Sequence, residues 1–264
     1  MVNLWDYEKR KEIRYDKTYK ASNMVWNKYR LNKRENIGHT MILIKSCKPN
    51  NLDEWQSYYE KSGQEAHTMK SKLRFHSFEE LKKSIHIIDC EHGKTQDDLI
   101  DLAKEFQGYL KNEGMNLDLD TCFNYVYIRA VDETYLGYQR EVAAFNSLSD
   151  YCKDNELTVK EASNTADVRY GVDFEVFKKD NLLAGIQVKG SIYKKATENA
   201  GSNIAIKRAE RLLHSINNEY STINEVPVLR MYVEQDLSIK DTAIFDDLKD
   251  LQSKRAIKKG SFER

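Results

Sequence analysis

The chain has 264 residues, enough to bury one large core or two smaller ones, and its 42 Lys plus Arg balance 42 Asp plus Glu. No net basic charge marks a nucleic-acid binder, although a neutral total still allows a cationic groove where the charges segregate. Met1 to Lys20 is too charged for a signal peptide, no run approaches the roughly 18 apolar residues of a membrane span, and Cys47, Cys90, Cys122 and Cys152 lack paired spacing, so the expectation is a cytoplasmic protein with reduced thiols.

In chain order, residues 1–40 interleave aromatic and basic side chains: Trp5, Tyr7, Lys17, Tyr19, Lys20, Trp26, Lys28, Tyr29, Arg30, Lys33 and Arg34. Such a mixture suits phosphate contacts and base stacking, and it suits equally a peripheral arm packed on the main body. Asn36-Ile37-Gly38 reads as a turn before a short apolar run, Met41 to Ile44. Leu52, Trp55, Tyr58 and Tyr59 then recur at helical spacing. His86 to His92 contains zinc-type donors, but no second cluster of C-x-x-C or H-x₃-H spacing accompanies them, so they read as strand-end and loop residues. Thr95 to Asn112 predicts a helix, capped by Thr95, with Leu99, Leu102, Ala103, Phe106 and Leu110 inside. Cys122 to Val131 alternates like a strand or the approach to one.

The second half is more regular. Tyr138 to Cys152 predicts a helix with Val142, Ala143, Phe145, Leu148 and Tyr151 buried and Glu141 in its first turn, where an acid favours the helix dipole. Leu157 to Ser163 predicts a strand. Val172 to Phe177 and Leu183 to Val188 flank a polar Lys178–Asn181 cluster, the pattern of a β-hairpin. Period two puts Val172, Phe174 and Val176 on one face. A turn centred on Asp180 pairs Phe177 with Leu183, Glu175 with Gly185 and Asp173 with Gln187. Asn203 to Tyr220 predicts a helix with Ile204, Ala205, Ala209, Leu212, Leu213 and Ile216 inside, and Pro227 to Val233 a last strand.

That hairpin register converges Asp173, Gln187 and Lys189 on one patch, beside Glu175 and the open space at Gly185. A carboxylate with a neighbouring amide or carbonyl oxygen is a hard donor set suited to Mg²⁺. An ammonium at its rim can orient a metal-bound water or offset charge on a phosphorane-like transition state. The chemistry implied is metal-assisted phosphodiester hydrolysis. An ordinary cross-strand ion pair between Asp173 and Lys189, in an α/β protein of unrelated function, is the bland alternative.

Asp173, thirteen intervening residues and Gln187-Val188-Lys189 resemble the signature of the PD-(D/E)XK nucleases. Val172 stands where that motif often has Pro, and Gln187 where an acid is usual. The phrases PNNLDEWQSYY, DETYLGYQRE and GIQVKGSIY are similar to the MjaI-type branch of Type II restriction endonucleases. The resemblance implies an α/β fold with an αβββαβ core, a central mixed sheet flanked by helices over about 138–233. It implies a nuclease core at 131–264 and leaves 1–130 as a mostly helical lobe suited to DNA recognition. Catalytic residues would be Asp173, Gln187, Lys189 and Glu141; Mg²⁺ ligands Asp173, Gln187, the Val188 carbonyl and Glu175. Lys194, Lys195, Lys207, Arg208 and Arg211 are the expected DNA contacts, although solvated helix charge explains the last three as well. The expected partners are double-stranded DNA, a second copy of the chain and a cognate DNA methyltransferase encoded nearby. A repair or junction-resolving nuclease of the same superfamily, or a non-catalytic DNA-binding protein, are the rival readings.

Overall fold

The computed structural model describes residues 10, 12–13, 17–199 and 204–260. Trp5 and Tyr7 of the aromatic-basic segment lie outside them. The chain divides into two compact units, 1–138 and 139–264, each described by itself.

The first unit has no strand among its described residues; its helices include α1 (Lys17–Lys28), α2 (Arg34–Ile37), α3 (Thr40–Cys47), α4 (Leu52–Ser71), α5 (Phe78–Glu91), α6 (Gln96–Asn112) and α7 (Leu119–Tyr127). Local chemistry sets the starts. Thr95 and Asp98 form a reciprocal capping box on α6, and Asn51, Ser77 and Asp118 cap α4, α5 and α7 with their side chains, each satisfying an amide that the first turn leaves without a partner. Two sequence expectations are corrected here. Cys122 to Val131 is not a strand: the Asp118 cap starts a helix whose Cys122, Phe123, Tyr125 and Val126 pack with Leu99, Phe106 and Leu110. His86 to His92 is not strand end and loop either, since His86 and Cys90 sit on α5. The Met41–Ile44 run is likewise part of α3.

Trp26, Trp55, Tyr59, Phe106 and Tyr125 form the centre of this unit, all at most 2% exposed. Trp26 meets Phe106 edge-on, with centroids 5.5 Å apart, a geometry aromatic quadrupoles favour. The aromatics Tyr19, Trp26 and Tyr29 therefore lie against the helical core instead of forming a stacking platform. After α7 the chain widens into a π-turn, Ile128–Asp132. There Asp132 accepts from Arg10 Nε at 2.8 Å, both side chains 1% exposed.

The second unit is a four-stranded sheet in the order β1-β2-β3-β4, formed by β1 (Thr158–Glu161), β2 (Phe174–Lys178), β3 (Asn181–Gly190) and β4 (Val228–Val233). The first three run antiparallel to their neighbours and β4 lies parallel to β3, so the sheet is mixed. Helices α8 (Glu133–Asp154), α9 (Asn164–Tyr170), α10 (Ser191–Glu198), α11 (Ile204–Asn224) and α12 (Ala243–Gly260) surround it. One face packs Phe174, Val176, Ala184, Ile186 and Val188 against Ala144, Leu148 and Cys152 of α8 and Ile244 and Leu248 of α12. The other packs Val172 with Ala166 and Tyr170 of α9 and Tyr220 of α11. Burial on both faces explains the near-continuous apolar run of β3.

Details depart from the sequence pattern. A short helix, α9, separates β1 from β2, so the three strands are not consecutive. On α8 the inner stripe is Ala144, Leu148 and Cys152, while Val142 is 40% exposed. That helix also starts at Glu133, which takes Glu141 out of its first turn. On α11 the inner stripe is Leu213, Ile216, Asn217 and Tyr220; Leu212 is 63% exposed and Ala209 is exposed as well, because one residue is 100° of helical rotation. Asn203 and the side chains of Ile204 and Ala205 lie outside the described ones.

Candidate active site

Asp173 sits one residue ahead of β2, at a crossing of three backbones. Its amide donates to the Ile186 carbonyl at 2.8 Å and its carbonyl accepts from the Ala162 amide at 3.1 Å. Its carboxylate Oδ2 accepts from the Val188 amide at 2.7 Å. The carboxylate is thereby fixed against β3 between Gln187 and Lys189.

The hairpin register pairs Glu175 with Gly185 as expected, but a bulge between Val176 and Phe177 pairs Phe177 with Leu182, not Leu183. The turn is therefore two residues, Lys179-Asp180, with Lys179 at φ 55°, the left-handed region that such tight hairpins need. Two further expectations are corrected. Val172 does not share a face with Phe174 and Val176, because the strand geometry begins only at Phe174. The space at Gly185 is not open: a Cβ there would lie 2.9 Å from the Tyr220 ring and 3.1 Å from a Val172 methyl.

Gln187 is 1% exposed. Its Nε2 donates to the Gly171 carbonyl at 2.7 Å, while its Oε1 is buried without a hydrogen-bond partner. Leaving a buried acceptor unmet costs about 1–3 kcal/mol, and a hard cation beside the oxygen would offset that cost. Gln187 Oε1 and the Asp173 carboxylate are oxygen donors of the kind a hard divalent ion takes. Gly171 was not singled out by sequence, yet it makes the arrangement possible. It caps α9 at φ 65°, ψ 30°, a conformation glycine adopts without Cβ strain, and any Cβ would fall 2.7 Å from Gln187 Nε2. Its signal was the glycine that stops the 164–170 helix.

The remaining residues separate. Lys189 is half-buried beside Tyr232 of β4. Glu175 accepts from the Tyr220 hydroxyl at 2.5 Å; burial, then this bond, raise the Tyr220 pKa well above the usual phenol value. Glu141 lies one turn before Ala144 on the stripe of α8 that faces the sheet. The preceding Arg140 brings its guanidinium to 3.3 Å from where a Gly190 Cβ would stand, so this part of α8 reaches the C-terminal end of β3. Of the expected DNA contacts, Lys194 is held by Asp241 at 2.6 Å and lies over Tyr232 at 5.3 Å. Lys195, Lys207, Arg208 and Arg211 are exposed. Beside Arg211, a cleft of about 380 Å³ is lined by His214, Asn217, Ser221 and Arg230 among others.

No helix among the described residues is long and apolar enough to cross a membrane, and all four thiols are free. Comparison with curated proteins and with solved structures gives no match. A family model does match, that of the MjaI restriction endonucleases, over residues 21–220. The match takes in most of the helical unit as well as Asp173, Gln187 and Lys189, and so begins well before the 138–233 core. With most of its length matched, the chain belongs to the MjaI restriction endonuclease family, whose activity is DNA cleavage at specific sites.

Proposed function

We propose that the protein is a Mg²⁺-dependent homodimer that hydrolyses both strands of duplex DNA at a short palindrome, using a PD-(D/E)XK-type site at Asp173, Gln187 and Lys189. The observation that carries this reading is the buried Oε1 of Gln187, without a hydrogen-bond partner, on the strand whose following amide, that of Val188, holds the Asp173 carboxylate. The sequence α8, β1, β2, β3, α11, β4, with α9 and α10 as additions, supports an αβββαβ core.

When bound, Mg²⁺ supplies Lewis-acid charge neutralisation and a more acidic water. Asp173, Gln187 Oε1 and the Val188 carbonyl would hold it. Glu175, engaged by Tyr220, and Glu141, on the stripe of α8 that faces the sheet, are the two candidates for an additional acid. Lys189 would hydrogen-bond the attacking water and face the charge that develops on the phosphate. Lys195, Lys207, Arg208 and Arg211 would track the DNA backbone, and Lys194 could do so only by leaving Asp241. A methyltransferase that protects the same site would be encoded nearby.

Long duplex DNA of mixed sequence, incubated with Mg²⁺ and separately with EDTA, tests this. Discrete Mg²⁺-dependent fragments are expected, and they vanish in Asp173→Ala and Lys189→Ala while DNA binding persists. Cleavage of branched junctions in preference to duplex would assign a resolving enzyme instead. DNA binding with no cutting under any divalent ion would mean that Gln187 has silenced the site.

A further inference from the structure

A second group of metal-type donors lies in the helical unit, apart from the residues assigned to the nuclease. Glu35 of α2, His86 and Cys90 of α5 bring their ligand atoms within 4.8 Å of one another. His86 and Cys90 are four residues apart, hence on one helical face one turn apart, and their Nε2 and Sγ atoms are separated by 3.6 Å. A tetrahedral ion with metal–sulfur about 2.3 Å and metal–nitrogen about 2.0–2.1 Å requires roughly 3.5 Å between those two ligands. The pair is therefore already at binding distance.

The third ligand comes from a different element, and the backbone locks that element in place. Gly38, at φ 73°, lies so close to the end of α5 that a Cβ would fall 2.0 Å from the His92 carbonyl oxygen. The Tyr59 hydroxyl donates to the Ile37 carbonyl at 2.8 Å, and His92 is itself tied to the Ile88 carbonyl at 3.0 Å. Glu35 is thus presented to α5 by closely packed backbone, with its carboxylate within 4.8 Å of the other two ligand atoms. Its ion pair with Lys33, at 3.3 Å between side chains 37% and 49% exposed, holds it weakly.

We propose that Glu35, His86 and Cys90 bind one transition-metal ion of the Zn²⁺ class, which clips α2 to α5. Thiolate, imidazole and carboxylate together select such an ion over Mg²⁺. The three side chains leave one position of the tetrahedron for water, and the half-buried setting of Glu35 and Cys90 beside an exposed His86 admits it. Burial and the Glu35 carboxylate push the Cys90 thiol up; a bound cation reverses that by displacing the thiol proton to solvent.

The full-length protein titrated with Co²⁺, a spectroscopic stand-in for Zn²⁺, tests the site. A thiolate-to-cobalt charge-transfer band is expected in the wild type, in Asp173→Ala and in Cys47→Ser, and is lost in Cys90→Ser and in His86→Ala. Zn²⁺ should raise the melting temperature of the wild type and leave that of Cys90→Ser unmoved. A wild type without band or shift overturns the proposal, as does a band that survives Cys90→Ser or disappears with Asp173→Ala. Should Cys90→Ser lose its helical circular dichroism, Glu35→Gln and His86→Gln decide in its place: a full band in both overturns the site, and a weakened band in each supports it.

Discussion

Gln187 carries two hydrogen-bonding ends into one enclosed place, and the fold answers only one of them. Changing Gln187 to Glu restores the acid expected of the motif but sets a carboxylate oxygen against the Gly171 carbonyl, where the amide now donates at 2.7 Å. Without a divalent ion this replacement should destabilise the protein by about 1–3 kcal/mol. With Mg²⁺ the added charge strengthens ion binding, so the melting temperature of Gln187→Glu rises more on Mg²⁺ addition than that of the wild type. Thermal melts of both proteins with Mg²⁺ and with EDTA measure this; an identical response would remove Gln187 from the ion site. At this scale the sequence brought Asp173, Gln187 and Lys189 forward as candidates through their spacing and the hairpin register. Gly171 and Tyr220 stayed hidden for different reasons. One acts through a backbone angle, and the other reaches Glu175 across 45 residues, a distance no local pattern spans.

Among the elements, α10, α11 and β4 meet at Glu210, which accepts from Tyr193 and from Arg230. Burial opposes ionisation of this carboxyl, but the two hydrogen bonds outweigh it and hold the pKa below the usual range. A depressed carboxylate contributes stability above its unfolded-state pKa and loses it as pH falls through the folded value. The stability gap between wild type and Glu210→Gln should therefore be present at neutral pH and close below the ordinary carboxylate range, as read by denaturant unfolding at a series of pH values. A gap constant with pH would show that packing, not charge, is involved. The β2–β3 hairpin was legible because period-two alternation and a polar turn agree with each other. Cys122 to Val131 was misread because aromatic and β-branched residues imitate a strand, while the Asp118 cap and the contacts with α6 that decide for helix lie outside that window. On α11 the periodicity was visible but its phase was not. A polar Asn217, bonded to the Tyr170 carbonyl at 3.0 Å, occupies the inner stripe that hydrophobicity assigned to Leu212.

For the whole molecule, balanced charge means that affinity for DNA has to come from local segregation. Lys207, Arg208 and Arg211 lie exposed on one helix, and if they meet phosphates, each releases counterions on binding. The variant with all three changed to Ala should bind every DNA sequence more weakly, with the slope of log affinity against log salt reduced by roughly 0.9 per lost contact. Fluorescence anisotropy across a salt series reads this directly, and an unchanged slope would place the DNA on another surface. The pairing of β3 with β4 adds a matter of timing. Chains fold broadly from the N-terminus as they are synthesised, so β3 emerges from the ribosome with one edge open and keeps it open until Val228–Val233 has followed. Met231, Val233, Ile244 and Leu248 then close the core beneath Ala184, Ile186 and Val188. A nascent chain thus holds Asp173 and Lys189 on a sheet that stays unfinished until β4 has been synthesised.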